Sequence, residues 1–237
     1  MNALRKRTPR SLRKPKGESQ KYRVRRRKAL AKQIVEDKAM AMARKRNIGY
    51  ANKLFFLIQG KTLNDLIREK IRARGKCSFF EIGSGLGNAL LPLLLRRNWR
   101  KLGGKVSAQG IDILHPQEDA LAKKAIRIGN ALSRPFPKSD IIFSVWSLGY
   151  IGQTGFMLRK IGSALNPGGL AVLHINQKSY NAQELIKDPN KLESNLKKIR
   201  LNGCSTRVFL ATEAFPYGAL DLEPDDIIVV IKREEQK

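Results

Sequence analysis

Apolar and polar positions alternate in very different ways along the 237 residues. From Met1 to Lys28 there are almost no apolar positions, and Pro9, Pro15 and Gly17 interrupt what there is. So little burial cannot offset the entropy of ordering the chain, which predicts a disordered start. Between Ala29 and Arg46 the residues turn to Ala, Met and Leu without Gly or Pro, a composition that favours a helix. Further on, Thr62 followed by Asp65 forms a capping-box pattern, and Leu63, Leu66, Ile67 and Ile71 recur at helical spacing up to Gly75. A short apolar strand, Cys77 to Ile82, then runs into GSGLGN and a Leu-rich helix from about Ala89 to Arg97. The same reading gives a strand at Val106 to Ile113, a helix at Glu118 to Arg127 and a buried-looking strand at Asp140 to Trp146. A helix at Gly155 to Leu165, a turn at NPGG and a strand at Leu170 to Ile175 follow.

Strand and helix alternate up to that point, and alternation of this kind builds a parallel sheet with helices on both faces. The last third differs. A basic helix is expected over Asn190 to Leu201, and two strands, Ser205 to Ala211 and Asp226 to Arg233, have no helix between them. They should pair as an antiparallel hairpin at the sheet edge. The fold expected is therefore α/β, a Rossmann-like, seven-stranded, mostly parallel sheet with a C-terminal antiparallel hairpin, preceded by a basic arm and helices. Three regions result: the arm 1–46, a helical segment 47–76 and an α/β domain 77–237.

Charge changes this picture most. The chain has 47 Lys and Arg against 20 Asp and Glu, a formal charge of +27. Residues 1–46 hold +15 of it, including the run RVRRRK at Arg23 to Lys28, and the remainder is itself +12. Such an excess points to a polyanionic partner and a steep salt dependence. The arm has little aromatic content, so it adds affinity rather than sequence choice. Cys77 and Cys204 are isolated, which gives no disulfide framework and no cysteine zinc site. A reducing, cytoplasmic setting is expected, with no membrane span, no secretory core and no metal.

The glycine loop carries the chemistry. A strand ending in Glu81, then Gly83, Gly85 and Gly87, then a helix, lets backbone approach a ligand without Cβ interference. Position 88 is Asn where a dinucleotide site would place its third glycine, and the GK[ST] of a phosphate-binding loop is missing. Here the chain resembles the class I S-adenosylmethionine-dependent methyltransferases, of the type 11 kind. The residues that carry the likeness are FFEIGSGLGN (Phe79 to Asn88), GIDI (Gly110 to Ile113), the segment Gly129 to Ile151 and LNPGGLAVLHI (Leu165 to Ile175). The resemblance implies S-adenosyl-L-methionine as cofactor. It also implies that Glu81, Gly83, Ser84, Gly85 and Gly87 line the methionine part, Asp112 holds the ribose hydroxyls, Asn130 and Ala131 meet the adenine, and Trp146 to Tyr150 flank the methyl group.

Methyl transfer from a sulfonium is an in-line displacement whose donor is already activated, so positioning matters more than a catalytic diad. The acceptor is harder to read. Ser147, Leu148, Gly149 and Tyr150 replace the (N/D/S)PP(Y/F) turn that accompanies methylation of base amines, and neither cysteine sits in a nucleophile context. Three residues are catalytic candidates: Tyr150, beyond the fourth predicted strand; His174, inside an apolar strand near its carboxyl end; and Lys178, just past that strand. His115, close to Asp112, and Phe215 to Tyr217, in a late loop, are further polar or aromatic residues of interest. The leading expectation is a methyltransferase of structured ribosomal or transfer RNA. Methylation of a ribosomal protein or another acceptor met on a ribonucleoprotein particle, and a non-catalytic RNA-binding or assembly factor, stay open.

Overall fold

A computed structural model describes residues 48–85, 87–95, 104–113, 120–145, 147–151, 153–175, 199, 201–210 and 226–235. The arm, His115, Trp146, Lys178, nearly all of the helix expected over 190–201, and Phe215 to Tyr217 lie outside the described residues. The described residues all belong to one compact unit, Met40–Lys237.

Two helices come first, α1 (Ile48–Gln59) and α2 (Leu63–Arg74). The capping box at the start of α2 is formed: Asp65 N–H donates to Thr62 Oγ1 at 3.2 Å, and Thr62 N–H and its hydroxyl donate to Asp65 Oδ2 at 3.2 and 2.6 Å. Gly75 closes the helix in the left-handed region at φ 67°, its N–H donating to Ile71 O. The strands are β1 (Lys76–Ile82), β2 (Lys105–Asp112), β3 (Ile126–Ile128), β4 (Ser139–Val145), β5 (Leu165–Ile175), β6 (Cys204–Leu210) and β7 (Ile227–Arg233). Between them lie α3 (Leu90–Leu95), α4 (Ala120–Ala125), α5 (Ser147–Ile151) and α6 (Thr154–Ala164).

These strands form one seven-stranded sheet in the order β3-β2-β1-β4-β5-β7-β6. The pairs from β3 across to β5 are parallel, while β7 runs antiparallel to both β5 and β6. The hairpin thus sits at the edge as expected, with β7 inserted next to β5.

Three local readings need correction. The helix expected over Glu118 to Arg127 ends at Ala125, and the β-branched Ile126 and Ile128 form the short strand β3 beside β2. The NPGG turn falls inside β5, where Leu165 pairs with Ser139 and the ladder resumes at Leu170 opposite Ile141, so four residues bulge out of register. The short helix α5, directly after β4, had no sequence signal because it has only five residues and Gly149 stands in its middle.

Alternation along the strands sends residues to two cores. One face packs Phe79, Phe143 and Val172 under Leu54 and Phe55 of α1 and Leu63, Ile67 and Ile71 of α2. The other packs Phe80, Ile142, Leu173 and Val229 under Leu158 and Ile161 of α6. Phe143 lies 5.7 Å from Phe55 and 6.5 Å from Phe79 between ring centroids, which locks α1 to the middle of the sheet. Each fully buried Phe or Leu contributes about 1.5–3 kcal/mol.

Candidate functional site

Parallel strands bring their carboxyl ends to one edge, and there the chain direction of the crossovers reverses between β1 and β4. Ligands of open α/β sheets bind in that crevice. On this edge lie the glycine loop after β1, Asp112 at the end of β2, α5 after β4 and His174 near the end of β5.

The loop is built from three left-handed turns, with φ of 71°, 53° and 78° at Gly83, Gly85 and Gly87. Gly83 is irreplaceable on a second ground: a Cβ there would overlap Ser147 Cβ and lie 2.6 Å from its Oγ. Ser147 is the first residue of α5, and its hydroxyl donates to Ile82 O at 2.9 Å while accepting from Ser144 Oγ at 2.5 Å. These bonds tie the start of the loop to the segment after β4. Asp112 ties its middle, since Gly85 N–H donates to Asp112 Oδ2 at 2.6 Å. Gly83 and Ser84 N–H donate to Ile111 O at 2.8 and 3.3 Å, so the loop lies directly on the end of β2. Ser84 is buried, packed over Gly110, and its Oγ has no hydrogen-bond partner among the described residues.

On the far side of Asp112, Asn130 opens a tight turn by accepting from Leu132 N–H at 2.9 Å. Ala131 beside it is buried. Lys160 of α6 holds the turn from behind, donating to the carbonyls of Ala131 and Leu132 and lying 4.4 Å from the Phe136 ring centroid. Burial pushes the Lys160 ammonium below its usual pKa. Ile113, next to Asp112, is 76% exposed, a large apolar face at a polar edge.

Glu81 and His174 share the sheet face that α1 covers, and both are buried. His174 has a network that sequence alone did not reveal. Its Nε2 lies 2.8 Å from Asp226 Oδ2, and its Nδ1 lies 2.7 Å from Tyr50 Oη on α1. A carboxylate only accepts, so with a neutral imidazole Nε2–H donates to Asp226 and Tyr50 O–H donates to Nδ1. The Tyr50 and His174 rings stack at 6.1 Å with 8° between planes. Asp226 immediately precedes β7, whose antiparallel course returns it to the carboxyl end of β5. The signal for it was an acid abutting the apolar run Ile227 to Ile231.

Among the sequence candidates, the structure thus gathers Glu81, Gly83, Ser84, Gly85, Gly87 and Asp112 around one loop, with Asn130 and Ala131 beyond β3. The backbone of Tyr150 lies in α5 on the same edge, while its side chain is outside the described residues. The cysteines stand apart from this edge. Cys77 is in β1 near the opposite end, and burial, with the Asp140 charge, pushes its thiol up to about 12. No group of residues able to hold a metal occurs among the described residues.

No family profile matches the chain, and no curated protein matches it in sequence. Solved structures do match in fold. Several of the similar solved structures are methyltransferases. The CurJ carbon methyltransferase is 16% identical, over 68% of this chain and about half (49%) of that one, with a TM-score of 0.45. Phosphoethanolamine N-methyltransferase 2 of Haemonchus contortus, solved with S-adenosyl-L-methionine, is 17% identical over 80% of this chain and 57% of that one, with a TM-score of 0.44. The [4+2]-cyclase SpnF is 15% identical over 73% of this chain and 80% of that one, with a TM-score of 0.42. Similarity of this kind does not fix the reaction, so function has to be argued from the site.

Proposed function

We propose that the chain is an S-adenosyl-L-methionine-dependent methyltransferase acting on structured RNA, ribosomal or transfer RNA, with the basic N-terminal arm as its anchor. One observation carries the cofactor half: a carboxylate at the end of β2 lies 2.6 Å from the backbone of a glycine loop at the β1/β4 crevice. That pairing sets an acceptor for a ribose diol beside a surface a methionine chain can approach closely. The donor set fits the cofactor in other respects too. Asp112 would hold the ribose, and exposed Ile113 offers an apolar face to the adenine while Asn130 and Ala131 border it. Glu81 would carry the charge complement of the amino group, and the Ser84 hydroxyl supplies a buried polar atom that a ligand can complete.

When bound, the cofactor supplies an activated methyl group; the chain's own residues have to orient it and exclude water. Ser147 and Ser144 keep α5, and with it Tyr150, fixed against the glycine loop. His174 is fully buried, and among the described residues its ring nitrogens meet Tyr50 and Asp226, so Tyr50 offers a proton route between it and an acceptor. The RNA half rests on the charge of +27 and its concentration in the arm.

Calorimetric titration with S-adenosyl-L-methionine and S-adenosylhomocysteine tests the cofactor half, with binding to both expected and lost in Asp112→Ala. Incubation with methyl-labelled cofactor and total RNA at low salt tests the acceptor. Label in RNA is the expected result. Label in ribosomal protein alone would replace the RNA reading by the protein-acceptor one, and no cofactor binding would overturn the enzyme reading.

A further inference from the structure

The opposite edge of the sheet holds a second feature that the cofactor site does not use. A concavity of about 1080 Å³ opens there, lined by Arg74 of α2, Lys76 of β1, Lys105 of β2, Lys124 of α4 and Arg127 of β3, among others. Lys76 and Lys105 begin their strands and are direct partners in the parallel register, so two exposed ammonium stems leave the sheet from adjacent strands. Adjacent strands lie about 4.8 Å apart, and like charges side by side on a sheet destabilise it. Among the described residues Lys76, Lys105, Lys124 and Arg127 take part in no ion pair that would relieve the clash.

The acid in the lining is already committed. Asp140 Oδ2 accepts from Ser78 N–H and Ser78 Oγ, both at 2.8 Å, and Oδ1 accepts from Asn166 at 3.0 Å, with Arg74 at 3.5 Å. Burial raises this carboxyl, but the bonds from Ser78 and Asn166 and the Arg74 charge outweigh it and hold the group below its ordinary pKa. Asp140 thus has its partners in Ser78, Asn166 and Arg74 and makes no ion pair with the four cations. Among the described residues no aromatic side chain lines the concavity. Stacking on unpaired bases is the hallmark of single-strand sites, whereas the described lining offers cations suited to phosphates.

We infer that this concavity is a docking site for the phosphate backbone of a nucleic-acid duplex, gripped by Lys76, Lys105, Lys124 and Arg127. The inference rests on the proposed nucleic-acid substrate and adds where it is held. The seven residues of β1 span about 23 Å, so the grip lies roughly that far from the cofactor edge. Such a span is less than one duplex turn of about 34 Å. A duplex held here can present a neighbouring loop or end to the crevice, whereas a free nucleoside cannot reach both places.

Lysine acetylation of the full chain, read by mass spectrometry with and without a 20-base-pair RNA duplex at low salt, tests the site directly. Lys76, Lys105 and Lys124 should be protected several-fold, while Lys53, exposed on α1, should react as before. A parallel DNA duplex separates the sources of the backbone: equal protection supports a site that reads phosphate alone, and protection by RNA only supports one that also reads the sugar. Unchanged labelling of all three lysines while the duplex is bound overturns the inference, as does protection by polyglutamate without protection by RNA. Lys76→Glu/Lys105→Glu should lower the slope of log affinity against log salt by about 2, at roughly 0.9 per phosphate contact. Retained S-adenosylhomocysteine binding by that variant shows that its fold is intact. Failure of wild-type cofactor binding would remove the methyltransferase reading and leave the footprint standing; a missing footprint with label in RNA would do the reverse.

Discussion

Single residues at the cofactor edge act through the space they leave. Gly110 in β2 is the sharpest case, because a Cβ there would stand 2.6 Å from Ser84 Oγ and 2.7 Å from Leu90 Cδ1. Gly110→Ala should therefore lift the glycine loop off β2, cost about 1–3 kcal/mol and weaken S-adenosylhomocysteine binding at least tenfold. Gly155→Ala is the control. Its Cβ would make ordinary contact with Ile199 Cδ1 at 3.7 Å, inside α6, and should stabilise by about 0.5–1 kcal/mol. Thermal melts and calorimetry on the two variants check both signs. The sequence made the loop legible because each glycine there answers to a backbone demand that a one-dimensional pattern records. It did not reveal why Ser147 matters. That residue earns its place by filling the volume beside Gly83, 64 positions away in the chain, and no local pattern encodes such a contact.

At the scale of elements, sheet and helices were legible where one face is apolar, as in β1, β4 and β7, and illegible where pairing overrode composition. β3 has three residues and is held by β2, and NPGG is enclosed in β5 because Leu165 and Leu170 on either side of it both pair with β4. The link between α1 and the sheet was hidden for the same reason, since Tyr50, His174 and Asp226 come from three distant segments. Tyr50→Phe removes the hydroxyl that donates to His174 Nδ1 and should cost about 1–3 kcal/mol, seen as faster amide exchange along α1. If His174 exchanges a proton with the acceptor through Tyr50, the variant also loses kcat with cofactor affinity unchanged; if the hydroxyl is only an anchor, kcat at a temperature well below the melt stays at the wild-type value.

Asp140 plays the corresponding part at the other edge, joining β4 to Ser78 of β1 and to Asn166 in β5. Its pKa is lowered on folding, so the unfolded chain binds its proton more readily. The stability it contributes is present above the unfolded value of 3.8 and lost as pH falls through the lower folded value. Urea midpoints should place Asp140→Asn about 1.5–3 kcal/mol below wild type at pH 7, with the gap closing below pH 4. A gap that widened on acidification would contradict the assignment.

The whole molecule carries one consequence of its charge that no single site does. A formal +27 on 237 residues makes the compact state repel itself. The described ion pairs are few and mostly exposed: Lys61–Glu69, Arg68–Asp65, His174–Asp226, and Arg74 with Asp140 and Glu235. Exposed pairs contribute little, so they do not offset a field of this size. Salt screens the repulsion over a Debye length that falls from about 30 Å at 0.01 M to about 10 Å at 0.1 M. The isolated protein should then become more stable as sodium chloride rises through this range. A gain of about 1 kcal/mol corresponds to about 2–4 °C for a chain of this length. The duplex-bound protein should show the opposite trend, because the same salt weakens its phosphate contacts. Melting curves with and without RNA, recorded from 10 to 200 mM salt, should therefore converge from opposite sides. Parallel curves would mean that the positive charge is not relieved by the nucleic acid, and would count against RNA as the partner that the charge is there to meet.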